Sequence, residues 1–554
     1  NTTAGENTAI GYNSLTTNTT GLENTGVGRN SLQFNTTGDY NSSLGVNSLR
    51  DNTTADNNTA IGHSALKVNT TGSDNVAVGS EALDANTTGS NNTAIGVKTL
   101  TSNTTASDNV ALGRAAMFYN TTGAQNTALG RLCLSTNTTA DNNTAVGYSA
   151  LGVNTTGTAN VAIGAEALDA NTTASNNTAV GKAALGANTT GASCTAVGKD
   201  ALLSNTTGAN NTAVGGDSLE DNTTGAKNVA IGRYSLFNNT TADSNTAIGF
   251  QSAFANTTGA NNVAVGTDAL GANTTGVNNV AVGSLCLDAN TTGFHNTAVG
   301  LQALSANTTA SNNTAVGTNS LLSNTTGANN VAVGSESLDA NTTGNGNIAV
   351  GVATLGLNTT AGGNVGVGND ALGNASTGGS NTAIGHQAGL NVTTGANNLF
   401  LGHDSGKSSS PSGSITDGNN NICLGDNSIT DLFCKVSTIQ TSDLRDKTDI
   451  TDFKHGLSWI EKLKPITYRW DMRSSYENGK PDGSKKEERL HLGFIAQDVI
   501  KIEKEHGFAS NKNMMLLVNE NNDGNYGMKY DRVVPILVNA IKELSAKVTA
   551  LEAG

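Results

Sequence analysis

The chain has 554 residues, of which 13% are charged and 4% aromatic, and it contains 66 glycines. Its formal net charge of -14 offers no basic surface for a phosphate backbone, so we expect no nucleic-acid partner. No run approaches the roughly 18 apolar residues of a membrane span. The composition would indicate disorder if the residues were not so regularly arranged.

A repeat with a 17-residue period fills positions 1–408, which we call the repeat region. Asn-Thr-Thr recurs with this period from Asn1 to Asn358, and glycine stands at the eleventh place of every unit from Gly11 to Gly402. The consensus N-T-T-G-x-x-N-T-A-V-G-x-x-A-L-x-x gives 24 units without an insertion. We number the places of a unit from 1 to 17.

Each unit predicts one coil of β-structure. Small and β-branched residues alternate at places 7–10, which predicts a short strand. Glycine at place 11 predicts a positive φ or close backbone contact, and Asn-Thr-Thr-Gly predicts a turn. Such a density of Gly, Asn and Thr disfavours helix. We therefore predict a mainly β fold, an elongated β-solenoid of 24 coils in which asparagines at places 1 and 7 stack and exchange amide hydrogen bonds.

The core of such a solenoid is thin. Only places 10 and 15 are reliably large and apolar, and these side chains bury little area against the entropy of ordering a coil. We therefore expect several chains, most simply three, to share a core. The N-T-A-V-G-x-x-A-L cadence resembles the head repeats of trimeric bacterial adhesins and the β-helical stalks of phage tail fibres, a resemblance that implies a homotrimer.

The repeat region has several functional interpretations. A structural spacer explains its regularity most simply. The Asn-Thr-Thr triplets are formal glycosylation sites, although turn geometry explains their phasing. Threonine ladders are a possible ice-binding surface, and the variable places 5, 6, 12, 13, 16 and 17 are a possible surface for a host glycan.

The repeat ends in a Ser/Pro/Gly-rich break, and residues 409–441 are predicted to form strands of a distal tip or linker. The segment 418–425 shows the strand-and-glycine pattern once more, out of phase with the 17-residue period. Residues 426–440 alternate polar and apolar side chains, which predicts further short strands.

Residues 442–554, which we call the C-terminal domain, have a mixed composition that predicts a small α+β domain. The predicted elements are a short helix at 455–462, strands at 465–470 and 491–494, a helix at 496–506, a hairpin of 514–518 with 526–530, and a terminal helix at 531–552. Apolar residues of that helix are spaced 3-4-3-4-3, the a/d seam of a coiled coil. This seam packs within the chain or, as we favour, joins three chains; its residues are Val534, Leu537, Ile541, Leu544, Val548 and Leu551.

Three segments of the C-terminal domain resemble a known family. They are T-S-D-L-R-D-K-T-D-I at 441–450, L-K-P-I-T-Y-R-W at 463–470 and L-G-F-I-A-Q-D-V at 492–499. Together they look like the intramolecular chaperone domain of phage endosialidases and tail spikes, also called peptidase S74. The resemblance implies a domain that trimerises, templates the folding of the fibre before it, and then cuts itself off.

The resemblance also implies the site of that cut. The catalytic serine and lysine of the family fall on Ser442 and Lys447, with cleavage between Thr441 and Ser442. Asp443 and Arg445 match the supporting S-D-x-R-x-K motif. No cofactor is implied, and the only enzymatic activity is a single self-hydrolysis per chain.

The residue types support a serine–lysine pair independently. A serine hydroxyl needs a base, and a lysine becomes one when desolvation lowers its pKa. Residues five apart lie about 140° apart on a helix and on opposite faces of a strand. Ser442 and Lys447 therefore meet through a turn, or the lysine comes from a neighbouring subunit. The alternative is that the serine caps a turn and the lysine is a solvated charge.

Cysteine and histidine give no metal prediction. The five cysteines are odd in number and without CxxC spacing, which favours free thiols; they are Cys133, Cys194, Cys286, Cys423 and Cys434. His386 and His403 are one period apart and are able to stack as a ligand pair, but we predict no metal.

The sequence as a whole predicts a phage tail fibre for host attachment. Such a fibre is made in the host cytoplasm, becomes part of the virion and binds a host surface receptor, most simply a glycan. Because the chain starts at Asn1 inside a repeat, we expect a preceding segment that docks to a tail or anchor protein. The alternative is a trimeric adhesin at a cell surface. A polysaccharide-degrading enzyme is disfavoured, because the units lack paired carboxylates.

Overall fold

The computed structural model describes residues 3–429, 431–432, 442, 444–473, 476, 479–521 and 524–554. It falls into two compact units, Asn1–Ser335 and Glu336–Gly554. The domain boundaries predicted after residues 408 and 441 stay a prediction. Most of the strands predicted at 426–440 lie outside the described residues.

The first compact unit, Asn1–Ser335, is a parallel β-solenoid. Each 17-residue repeat in it contributes one short strand. Each strand residue pairs with its equivalent in the next coil, as Thr93 pairs with Val110. The strands are β1 Thr8–Ile10, β2 Thr25–Val27, β3 Ser42–Leu44, β4 Thr59–Ile61, β5 Val76–Val78, β6 Thr93–Ile95, β7 Val110–Leu112, β8 Thr127–Leu129, β9 Thr144–Val146, β10 Val161–Ile163, β11 Thr178–Val180, β12 Thr195–Val197, β13 Thr212–Val214, β14 Val229–Ile231, β15 Thr246–Ile248, β16 Val263–Val265, β17 Val280–Val282, β18 Thr297–Val299, β19 Thr314–Val316 and β20 Val331–Val333.

The second unit begins with strands of the same kind. Leu399 pairs with Ile422, so the last strand of this series follows after a longer step than the regular period, as its out-of-phase sequence predicted. The strands are β21 Ile348–Val350, β22 Val365–Val367, β23 Thr382–Ile384, β24 Leu399–Leu401 and β25 Ile422–Leu424. The predicted mainly β solenoid is confirmed, with about 23 turns where 24 coils were predicted.

Left-handed backbone allows each short coil to close on itself. Positive φ recurs at the glycine of place 11 and at non-glycine residues of places 6, 13 and 15. Gly96 has φ +136°, and a Cβ there would lie 2.7 Å from the carbonyl oxygen of Gly113 in the next coil. The positive φ and the close backbone contact predicted for the place-11 glycine are therefore both present. Leu100 at place 15 has φ 52°, a strained conformation for a leucine that the sequence did not predict.

The solenoid interior contains two ladders of buried asparagines. At place 1, Asn35 Nδ2 donates to Asn18 Oδ1 at 2.7 Å, and the same contact recurs along the ladder. At place 7, Asn24 Oδ1 accepts the backbone N–H of Asn41 at 2.9 Å. The predicted amide exchange therefore dominates at place 1, whereas the asparagines of place 7 mainly satisfy the backbone. Both ladders are buried, and these bonds offset the cost of burying their amides.

The apolar side chains of the repeat divide between interior and surface. Alanine at place 9 and leucine at place 15 are buried; Ala94 and Leu100 are examples from one coil. The Val, Ile or Leu at place 10 is exposed or half-buried in every strand of the first unit; Ile95 is an example. A large side chain at place 10 therefore lies outside the core of its own coil. The first unit consequently carries a ladder of apolar residues on its surface, which we call the place-10 face.

The C-terminal domain contains two antiparallel strand pairs and three helices among its described residues. β26 pairs with β27, and β28 pairs with β29. The helices and strands match the predicted order with shifted ends, and the predicted strand at 514–518 begins only at Val518. The elements are α1 Leu457–Ile460, β26 Ile466–Tyr468, β27 His491–Gly493, α2 Ala496–Glu505, β28 Val518–Glu520, β29 Tyr526–Met528 and α3 Val533–Ala553.

Trp459 is the centre of a compact hydrophobic core in this domain. The tryptophan, on α1, is fully buried and belongs to a cluster with residues of α2, β28 and the start of α3. Glu503 of α2 is also buried, and its carboxylate accepts the backbone N–H groups of Leu516 and Leu517 at 3.2 and 2.5 Å. These contacts are unique to one place in the sequence, unlike those of the repeat.

The first half of α3 contacts the start of α1 and the segment that precedes α1. Asn539 donates to the carbonyl of Phe453 at 2.6 Å, and Glu543 accepts the N–H of Leu457 at 2.9 Å. A Cβ on Gly456 would lie 2.5 Å from the backbone nitrogen of Ala540, so the two segments touch closely. Within the part of the chain that the structure describes, no helix is both long enough and apolar enough to cross a bilayer.

Candidate functional site

Ser442 and Lys447 lie in direct contact. The lysine Nζ donates a hydrogen bond to the serine Oγ at 2.6 Å. This distance is within the range that nucleophile and base need for proton transfer. The structure therefore brings together the two residues to which the family resemblance assigns catalysis.

A 3₁₀ turn at Leu444–Asp446 makes this contact possible. The backbone N–H of Lys447 donates to the carbonyl of Leu444 at 3.2 Å and closes the turn. Of the two arrangements that the five-residue spacing left open, the chain has the turn within one subunit. No second chain is needed to supply the lysine.

The pair is open to solvent. Ser442 and Lys447 are both exposed, and so is Arg445 of the supporting motif. Thr441 and Asp443, the other residues named for the cleavage, lie outside the described residues. A lysine acts as a base once it has lost its proton, which desolvation promotes. The geometry of a serine–lysine pair is present, but its desolvation is not provided by the surrounding described residues.

The predicted seam of α3 faces outward. Each of its six residues, Val534, Leu537, Ile541, Leu544, Val548 and Leu551, is at least 41% exposed. The buried residues Val533, Ile536 and Ala540 lie on the neighbouring face of the helix, each one position before a seam residue. Much of the seam is therefore left at the surface of the chain, and association between chains stays a prediction.

Two histidines of neighbouring coils stack as their spacing predicted. The rings of His386 and His403 are 5.2 Å apart and 11° from parallel. Asp404 and Asp426 lie beside them, and neither aspartate was predicted from the sequence. One sequence feature does point to Asp426 as a neighbour of the histidines. Asp426 follows Gly425 just as each histidine follows the glycine of its own coil.

Four cysteines are buried and free: Cys133, Cys194, Cys286 and Cys423. Burial raises the pKa of the Cys133 thiol to about 12, so it stays protonated and unreactive near neutral pH. These four confirm the predicted free thiols, and Cys434 lies outside the described residues.

Comparison with known families identifies one segment. Residues 442–508 match the Peptidase S74 family, described as chaperone of endosialidase. The match begins at the candidate nucleophile, Ser442. No curated protein and no solved structure matches the chain significantly, and the likeness of the repeats to adhesin heads stays a prediction.

The recognised segment confirms the predicted family for the C-terminal part of the chain. A β-solenoid followed by a chaperone-of-endosialidase segment indicates a fibre-like protein that is folded by its C-terminal chaperone.

Proposed function

We propose that the chain is a phage tail fibre for host attachment, aligned as a trimer by a C-terminal chaperone that then removes itself by cutting before Ser442. In this proposal the cleaved solenoid remains in the virion and contacts a host surface receptor, most simply a glycan. The contact between Lys447 Nζ and Ser442 Oγ is the observation that carries the proposal.

The proposed cut needs no residue beyond the pair and one water. Neutral Lys447 takes the hydroxyl proton as Ser442 Oγ attacks the carbonyl carbon of Thr441. The peptide C–N bond breaks, the amine of Ser442 receives the proton, and the Thr441 acyl group is left on Oγ as an ester. Water then hydrolyses the ester, giving a carboxylate at Thr441 and a free hydroxyl at Ser442.

Assembly supplies the missing desolvation in this proposal. An exposed lysine is a poor base, and a neighbouring chain placed over the pair would exclude water from it. The exposed α3 seam offers the means of bringing neighbours close, because a/d residues pack into the holes of a partner helix. The cut would then follow trimer formation, and an unassembled chain would keep its chaperone.

The place-10 face supports a shared core for the solenoid. It runs through all 20 strands of the first unit, and monomeric proteins rarely expose an apolar patch above a few hundred Å². Another copy has the same 17-residue period, so its own place-10 face matches coil for coil. Three such faces turned inward would bury the side chains that a single coil is too narrow to enclose.

Intact mass spectrometry of the expressed full chain tests the proposal. The wild type is expected to give fragments ending at Thr441 and beginning at Ser442, whereas Ser442→Ala and Lys447→Ala give only the full-length chain. Thr448→Ala, an exposed neighbour outside the pair, serves as the control and is cut normally.

Two results would count against this function. A wild-type chain that assembles but stays whole contradicts self-cleavage, and a Lys447→Ala chain cut at the normal rate removes the lysine from the chemistry.

A further inference from the structure

A cluster of metal-ligand side chains lies where the regular period ends. His386, His403 and Asp404 each present a ligand atom, and these atoms lie within 4.8 Å of one another. They form the sole such group of His, Cys, Asp or Glu found among the described residues. Asp426 is not part of this mutual group but lies beside it, with its Oδ2 3.2 Å from His403 Nδ1.

The solenoid places these groups by stacking three successive coils. His386 follows the place-11 glycine of the β23 coil, and His403 follows that of the β24 coil. Asp426 follows Gly425 after β25 and therefore occupies the equivalent position in the next coil, while Asp404 is adjacent to His403. Parallel pairing of these strands fixes the coils one above another.

Both carboxylates are held by hydrogen bonds from the protein, and each turns one oxygen toward His403. Asp404 Oδ1 accepts from Lys407 at 3.0 Å, while its Oδ2 lies 3.8 Å from His403 Nδ1 and accepts from Ser409. Asp426 Oδ1 accepts the backbone N–H of Ser428 at 2.9 Å, which leaves Oδ2 facing the imidazole. Hydrogen bonds of this kind from the surroundings orient carboxylates that bind a metal.

We propose that His386, His403, Asp404 and Asp426 bind one divalent transition metal ion of the zinc class. Two imidazole nitrogens with two carboxylate oxygens form a four-ligand set that suits Zn²⁺, and the carboxylates balance its charge. Tetrahedral zinc with bonds of about 2.0–2.1 Å holds ligand atoms about 3.4 Å apart. Binding requires the four side chains to draw together to this spacing, and both imidazoles lie exposed at the surface.

The position of the ion gives it a structural role. The ligands come from three coils, and the last coil is joined by a 23-residue step in place of the 17-residue step. The asparagine at place 1 of the earlier units is already replaced in the two preceding coils, by Ala375 and Val392. In this proposal the ion fastens the last coil, with its longer step, to the two coils before it.

Zinc titration of the untagged, metal-free full chain by isothermal calorimetry tests the site. We expect one Zn²⁺ per chain, with an affinity that falls at least about tenfold in His403→Ala and in Asp404→Asn. His63→Ala is the matched control. His63 is exposed at the same place of its coil, but its neighbours there are Val46 and Ser80, which provide no imidazole or carboxylate.

A second readout separates binding from a folding defect. Hydrogen exchange of the amides in Ile422–Leu424 should slow when Zn²⁺ is added to the wild type and stay unchanged in His403→Ala. Asp404→Asn keeps an acceptor for Lys407 and so preserves the local fold. Absence of saturable Zn²⁺ binding by the wild type would overturn the proposal, as would equal binding by His403→Ala or equal loss in His63→Ala.

Discussion

The repeat region and the C-terminal domain solve the problem of a stable interior in different ways. A typical solenoid coil buries two asparagines, the alanine of place 9, a small residue at place 14 and the leucine of place 15, and each coil repeats the contacts of the one before. The C-terminal domain buries Trp459 and Glu503 among partners that occur once in the chain. One interior is periodic and combines asparagine ladders with alanine and leucine, and the other is aperiodic and mainly apolar.

This difference bears on how three chains would find their alignment. Coils with equivalent faces stack equally well after a slip of one unit, because the same contacts form again. The repeat therefore specifies its structure well but specifies register between chains poorly. In the proposed trimer, a domain with a unique core and an exposed helix seam would align the chains in one register. It is suited to fix a register that the repeat then propagates.

Charge in the α3 seam should have the largest effect. Ile541→Asp and Leu544→Asp place carboxylates at positions that a partner helix would bury, so the trimer is expected to dissociate to monomers. Sedimentation velocity measures the change. Ser545→Asp, on the exposed helix surface outside the seam, should leave the trimer intact. Trimers that survive both seam substitutions would place the association elsewhere.

Loss of a place-11 glycine should damage the periodic interior. Gly215 has φ +135°, and a Cβ added there would lie 2.7 Å from the carbonyl carbon of Gly232, so Gly215→Ala is expected to cost roughly 3 kcal/mol or more. A Cβ on the adjacent Gly216 would have its nearest atom at 4.0 Å, so Gly216→Ala should change stability by less than about 0.5 kcal/mol. Thermal unfolding followed by circular dichroism compares them. Equal stability of the two variants would contradict the coil geometry.

Interruption of an asparagine ladder should have a smaller effect. Asn103 donates to Asn86 Oδ1 and to the carbonyl of Ala106, each at 3.0 Å, and accepts from Asn120. Asn103→Ala leaves buried partners unsatisfied and should lower the free energy of unfolding by about 1–3 kcal/mol. Denaturant unfolding provides the measurement, with the exposed Thr105→Ala as a control near zero. A neutral Asn103→Ala would mean that the ladder does not stabilise the coil.

Sequence periodicity was sufficient to predict the strands and the glycines of the repeat. It did not reveal that Leu100 adopts a positive φ or that Ile95 faces outward. Both depend on how a narrow coil closes in three dimensions. Hydrophobicity identifies a large side chain, but it does not say whether the coil has room for it.

The candidate sites also depend on three-dimensional features that the sequence pattern alone does not predict. Spacing alone left open how Ser442 reaches Lys447, because the answer depends on a short 3₁₀ turn. The pairing of His386 with His403 followed from the period. The sequence period did not predict Asp426 as a neighbour of His403, because the two are 23 residues apart. The stacked coils nevertheless bring their side chains together.

Refolding with and without the C-terminal domain tests the central claim most directly. The full chain carrying Ser442→Ala, which keeps the domain attached, is compared with a chain that ends at residue 441. Both are unfolded in denaturant, diluted and examined by sedimentation velocity. We predict that the full chain recovers trimers and that the shortened chain yields monomers or aggregates. Recovery of trimers by the shortened chain in equal yield would contradict the assignment of alignment to the C-terminal domain.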